Sequence, residues 1–135
     1  MTDVLVDSNV LLDVLSQDSE WLAWSATSLE VAARDSRLVI NTIIFAEVSV
    51  RYSRLEDVDD ALPRSLFDRE AIPDEAAFLA GKSYVAYRRR GGTRQAPLPD
   101  FFIGAHAAVA GYRLLTRDPA RYRSYFPKLS LLAPE

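Results

Sequence analysis

Cysteine is absent, which excludes disulfides, thiolate zinc sites and cysteine nucleophiles together. The single histidine, His106, has no second histidine to share a metal with, and it would be the only imidazole base for a serine–histidine triad. Lysine is scarce as well: of sixteen basic residues only Lys82 and Lys128 are lysines. The rest are arginines, whose planar fork suits bidentate contact with phosphate. Nineteen acids against sixteen bases leave a net charge of −3, which argues against a general polycationic nucleic-acid binder. It does not exclude a phosphate substrate, because four acids committed to metal would tip the remainder slightly positive. No apolar run approaches the ~18 residues of a membrane span. The N-terminus lacks the basic flank and long apolar stretch of a secretory signal, since Asp3 and Asp7 interrupt it. The expectation is a cytoplasmic protein with no membrane association.

What is present is ample apolar material for one core. Hydrophobic residues make up 49% of 135, and a chain of this size buries roughly two-thirds of its unfolded surface without staples. No repeat, low-complexity tract or linker divides it, so residues 1–135 read as a single domain. Short β-like runs alternate with longer helical ones. Val4-Leu5-Val6, Leu38-Val39-Ile40, Tyr112 to Thr116 and Leu129 to Leu132 read as strands, with a weak one around Arg69 to Ile72. Helices are expected over Asn9 to Ser16, about Ser19 to Arg34, from the Asn41-Thr42 caps through Val50, and over Leu55 to Leu66. Further helices follow from Pro73 to about Arg90, over the alanine-rich stretch Phe101 to Gly111, and from Pro119 to Tyr125. Thr93 to Pro99 is a loop. Strands separated by helices call for a parallel sheet covered on both faces, hence a three-layer α/β/α sandwich with a mostly parallel sheet.

In open parallel sheets, sites form outside the carboxyl ends of the strands. Asp7 directly follows the first strand and Asp118 follows Leu114-Leu115 by a similar step. Glu47 lies about two turns into the helix after the second strand. Asp100 stands where the proline-flanked loop enters the alanine-rich helix. Each acid also has a structural reading: Asp100 and Asp118 as helix caps, Asp7-Ser8-Asn9 as an Asx turn, Glu47 as the partner of Arg51 at i+4 spacing. Glu47 fits that reading least, because Phe45, Ala46 and Val48 surround it and an unpaired buried carboxylate is costly. Taken together the four fit one shared acidic crevice. Oxygen-only ligands without histidine or cysteine select hard cations such as magnesium or manganese. Such ions activate water and stabilise phosphodiester hydrolysis.

The strings VLVDSNVLLDVL, NTIIFAEV, PLPDFFIGAHA and LLTRDPARYRSYFP, in this order and spacing, resemble the PIN-domain ribonucleases, and most closely the VapC toxins of VapBC type II toxin–antitoxin pairs. The resemblance covers Asp3 to Pro134. It implies a site built of Asp7, Glu47, Asp100 and Asp118 that holds one or two Mg²⁺ or Mn²⁺ ions and cuts RNA. Asp7 and Asp100 would contact metal directly, while Glu47 and Asp118 complete the shell and orient the attacking water. Asn9 and Thr116 match the family's polar residues that hold a carboxylate or phosphate by hydrogen bonds. The family often has phenylalanine four residues after the last acid, where this chain has Tyr122, a departure that touches local packing only. The resemblance further implies a homodimer, and an antitoxin that wraps it into a heterotetramer or larger assembly and blocks the acidic site. An arginine or lysine on that antitoxin suits the pocket.

Arg88, Arg89, Arg90 and Arg94, just before Asp100, and Arg117, beside Asp118, are candidate RNA contacts. The first four are equally suited to a solvated helix end, and Arg117 to a neighbouring acid. Trp21 and Trp24 read as core or partner-groove residues, and His106 as a satisfied core histidine. A receiver domain would need a lysine at a strand end, and a haloacid-dehalogenase-type phosphatase an Asp-x-Asp pair after the first strand. Neither pattern is present. The remaining alternative is a PIN-like protein- or RNA-binding module without catalysis.

Overall fold

The computed structural model describes residues 2–135. Five strands form one all-parallel sheet in the order β3-β2-β1-β4-β5, with β1 Val4–Val6, β2 Leu38–Asn41, β3 Phe67–Glu70, β4 Arg113–Leu115 and β5 Leu131–Leu132. Val4, Leu5 and Val6 have no exposed surface. Successive strand side chains point to opposite faces, so β1 is covered above and below, as a helix-flanked parallel sheet requires. The expected α/β sandwich is the observed architecture.

Seven helices connect the strands: α1 Ser8–Leu15, α2 Leu22–Ala33, α3 Thr42–Ser49, α4 Leu55–Ala61, α5 Asp74–Arg89, α6 Pro99–Ala110 and α7 Ala120–Tyr125. Asn41 caps α3 by accepting from the Ile44 amide at 3.0 Å, as its sequence position suggested. Pro99 opens α6, and Gly111 closes it in the left-handed region at φ 75°, a conformation that favours glycine. Most element ends shift from expectation by a few residues, and the largest shift lies before Pro63. Helix α4 stops at Ala61 rather than Leu66, because the residue before Pro63 is driven out of the helical region, and Leu62 has ψ 65°. The chain released there starts β3 at Phe67, two residues earlier than expected.

The topology positions the site. From β1 the chain moves outward through β2 and β3, then returns to lay β4 on the other side of β1. The β1/β4 junction is therefore where the direction of winding reverses, and the crevice opens at the carboxyl ends of those two strands. The Asp7 amide donates to the Leu115 carbonyl at 2.9 Å, which fixes the two strand ends side by side. Helix α7 closes over this edge by packing on α6 at Gly104. A Cβ there would stand 2.5 Å from the Phe126 ring and 3.1 Å from that of Tyr122, so only a hydrogen permits the approach.

Candidate active site

Asp7 leaves β1 and caps α1, its Oδ1 accepting the Ser8 amide at 2.8 Å. It is 4% exposed. Its Oδ2 accepts from the Thr116 hydroxyl at 2.9 Å, the Tyr122 hydroxyl at 2.9 Å and the Asn9 amide at 3.4 Å. Despite these donors, burial pushes its pKa from 3.8 up to about 6, with the charges of Asp100 and Glu47 adding to the rise. Glu47, on α3, accepts from the Ser8 hydroxyl at 2.8 Å. Its pKa is raised by burial, against that hydrogen bond, and Asp100 raises it further. Asp100 sits in the first turn of α6. Burial again raises its pKa, opposed by Arg121, whose Nη1 lies 3.3 Å from Oδ2, and assisted by the charge of Asp118. Two acids at the starts of α1 and α6 and one from the last turns of α3 are thus brought to one crevice with little positive charge among them.

Asp118 differs from the other three. Its side chain is 72% exposed, 3.5 Å from Arg117. It does not cap α7, whose N-cap is Pro119 with no side-chain hydrogen bond. The capping readings of Asp100 and Asp118 are both unrealised, as is the Glu47–Arg51 pair, since among the described residues no ion pair joins them. Asp118 stands at the rim, anchored through its backbone: its amide donates to the Thr116 hydroxyl at 3.1 Å.

Asn9 and Thr116 do lie behind the carboxylates. Asn9 donates to Thr116 at 3.2 Å and accepts the Arg117 amide at 3.2 Å. Thr116 accepts from Asn9 and from Asp118, which directs its own proton to Asp7. The donor set of the crevice is oxygen only and suits a hard cation. Among the described residues, however, no three acids yet stand close enough to enclose one. Arg121 rests on Asp100, and Tyr122 reaches both Asp7 and, at 3.4 Å, Asp100. A cation would offset the burial that raises all three pKa values and the lesser repulsion that adds to it, and the lone pairs left open on Asp7, Glu47 and Asp100 are where it would bind.

The arginines divide. Arg117 is committed within the fold: its Nε donates to buried Asp13 at 2.8 Å, and its guanidinium lies 5.6 Å from the centre of the Trp21 ring. Of its two readings, the acid partner is the one realised. Asp13 lies within the first of the four strings without being one of the four acids, and local pattern does not reveal its pairing with Arg117. Arg88 closes its own loop by donating to the Arg94 carbonyl at 3.0 Å, and Arg90 packs 4.5 Å from the Tyr125 ring centre while donating to Ser124 at 3.1 Å. None of Arg88, Arg89, Arg90 and Arg94 pairs with the four acids, but Arg90 is bound to α7, the helix that carries Arg121 and Tyr122. Trp24 packs against the core, and Trp21 stands edge-on to it with ring centres 6.1 Å apart. His106 is buried, 3.1 Å from the Asn41 amide and 3.4 Å from Glu70.

Sequence reasoning missed Ser8, Arg121 and Tyr122. The tyrosine was visible as a departure from phenylalanine, but its hydroxyl only gains meaning once the fold carries it 115 residues back to Asp7.

Several solved structures share this fold. VapBC2 from Rickettsia felis, bound to a DNA fragment from its promoter, superposes with a TM-score of 0.73 at 18% identity, covering 98% of each chain. VapBC-1 from nontypeable Haemophilus influenzae gives 0.72 at 15% identity over 96% of each chain. A toxin–antitoxin complex from Klebsiella pneumoniae gives 0.67 at 25% identity, again over 98% of each chain. No curated protein matches the sequence. The PIN domain family matches residues 4–126, a span that contains every acid of the crevice, and the chain belongs to that family.

Proposed function

We propose that this chain is a divalent-metal-dependent endoribonuclease and the toxin of a type II toxin–antitoxin pair. The observation that carries the reading is the gathering of Asp7, Glu47 and Asp100 at the carboxyl edge of β1 and β4, each with its pKa raised by burial. Burial makes each of these acids harder to ionise, and Asp100 adds to the cost at both Asp7 and Glu47; a cationic ligand gives the arrangement a purpose. The likeness of the whole chain to toxin–antitoxin complexes supports the biological role.

Mg²⁺ or Mn²⁺, one or two ions, would supply a polarised phosphoryl oxygen and an activated water. Asp7 and Asp100 would hold the metal, with Glu47 and the rim carboxylate Asp118 completing the shell and orienting water. Asn9 and Thr116 keep Asp7 in place through the hydrogen bonds described above. Arg121, 43% exposed and held to Asp100 at 3.3 Å, would be placed to contact a phosphate oxygen when RNA enters. Arg88, Arg89, Arg90 and Arg94 would extend that contact along the backbone of the RNA. Arg117 belongs to Asp13 instead. The partners are RNA, a second copy of the chain in a homodimer, and a cognate antitoxin that brings a basic side chain to the crevice. A cytoplasmic location goes with such partners, and no described helix is long and apolar enough to cross a membrane.

Cleavage of total cellular RNA by the antitoxin-free protein tests the reading. Discrete cuts are expected with Mg²⁺ or Mn²⁺, and none with chelator or with Asp100→Asn. Identical behaviour of wild type and Asp100→Asn under every metal would move the chain to the non-catalytic binding module.

A further inference from the structure

Tyr122 is 1% exposed, and its ring fills the space above Gly104. Phenylalanine would fill that space equally well, so packing accounts for the ring and leaves the hydroxyl to be explained. That hydroxyl is 2.9 Å from Oδ2 of Asp7 and 3.4 Å from Oδ1 of Asp100. A phenol carries one proton, so the group serves the nearer oxygen and stands between the two carboxylates.

The consequence is a choice between the two oxygens of Asp7. Each carboxylate oxygen offers about two lone-pair directions. On Oδ2 they are taken by Thr116 and Tyr122, both at 2.9 Å, with Asn9 more distant at 3.4 Å. On Oδ1 only one is taken, by the Ser8 amide at 2.8 Å. The open lone pair of Asp7 is therefore on Oδ1. Without the phenol, Oδ2 would regain a free direction and the carboxylate could turn about its last bond.

We infer that Tyr122 is a positioning residue for the cation site: its hydroxyl occupies Oδ2 of Asp7, so that Oδ1 is the oxygen presented to metal, and spaces Asp7 from Asp100. The inference rests on the metal-dependent reading of the crevice. The inference gives Tyr122 a place behind the carboxylate and not in the metal shell, because its hydroxyl is aimed at Oδ2 of Asp7.

Manganese binding separates this role from a structural one. Free Mn²⁺ would be followed by electron paramagnetic resonance during titration of wild type, Tyr122→Phe and Asp100→Asn, alongside melting curves in chelator. Tyr122→Phe is expected to melt cooperatively and to bind Mn²⁺ about 10-fold more weakly, the lower end for partners that orient metal ligands. Its RNA cleavage should recover as Mn²⁺ is raised, whereas that of Asp100→Asn should not. Equal Mn²⁺ affinity in wild type and Tyr122→Phe, with Asp100→Asn impaired, would overturn the positioning role and leave the metal reading standing. A Tyr122→Phe protein that no longer folds in chelator would overturn it too, by making the hydroxyl a requirement of the fold. A wild type that binds no Mn²⁺ would overturn both.

Discussion

Strand β1 has an aspartate at each end, and the two are in opposite circumstances. Asp3, at the amino end, receives the Arg37 Nε at 2.8 Å and the Arg37 amide at 3.1 Å, and these hydrogen bonds hold its pKa below the usual value. The same arginine reaches Asp68 at 2.6 Å and Glu70 at 3.6 Å, so one guanidinium gathers three acids. Asp7, at the carboxyl end, is deeper and shares its crevice with two further acids, yet its partners are neutral donors. An acid cluster that serves the fold carries its own cation. The cluster at the carboxyl edge lacks one of comparable strength, for Arg121 reaches only Asp100, and at 3.3 Å. This contrast, more than the number of acids, marks where a ligand is expected.

The largest effect should come from breaking the uncompensated end. Asp7→Asn is expected to lower RNA cleavage by more than about 100-fold, beyond what loss of an orienting partner costs. The same variant should alter stability with the opposite sign. The folded pKa of Asp7, about 6, lies above its ordinary value of 3.8, so the folded state keeps the proton that the unfolded chain gives up. In chelator, wild-type stability should therefore fall as pH rises from about 4 to about 6, by on the order of 3 kcal/mol, and then level off. Asp7→Asn should remove that share of the slope and leave the part due to Glu47 and Asp100, and chemical denaturation at about pH 4 and about pH 7.5 measures it.

Next comes the paired acid closest to the crevice. Asp13 is as buried as Asp7 but holds Arg117 and the Ser25 hydroxyl, both at 2.8 Å. Arg117→Ala strands that carboxylate and should cost about 3 kcal/mol in a denaturant melt. A variant that melts like wild type but loses RNA binding would instead return Arg117 to the substrate. The smallest effect is expected at the compensated end. Arg37→Met should lower the melting temperature slightly and leave metal-dependent cleavage unchanged, because its pairs are exposed to solvent and far from the crevice.

Much of this arrangement was legible from residue patterns. The run Val4-Leu5-Val6 followed by Asp7, the Asn41 cap ahead of Glu47, and Pro99 ahead of Asp100 each place an acid by local rules that the fold obeys. The layered sheet and the edge where its acids gather followed from the alternation of strands and helices. What local rules could not supply is reach across the chain. Arg51 stands four residues from Glu47, yet Glu47 turns to Ser8, thirty-nine positions away. Asp118-Pro119 has the form of a helix cap, but the helix starts one residue later and leaves the carboxylate in solvent. Tyr122 differs from phenylalanine by one oxygen, and only the docking of α7 on Gly104 decides what that oxygen meets.

The reversal of winding between β1 and β4 also sets when the crevice can exist. Its parts are made in the order Asp7, Glu47, Asp100, and then Thr116 and Tyr122, and the last two complete the hydrogen bonds of the first. As the chain emerges from the ribosome, β1 through β3 can associate early, but Asp7 lacks two of its donors until β4 has inserted beside β1 and α7 has closed. A nascent or truncated chain ending before that point carries the acids without the frame that aligns them. Strand order thus makes the assembled crevice depend on every segment of the chain through Tyr122.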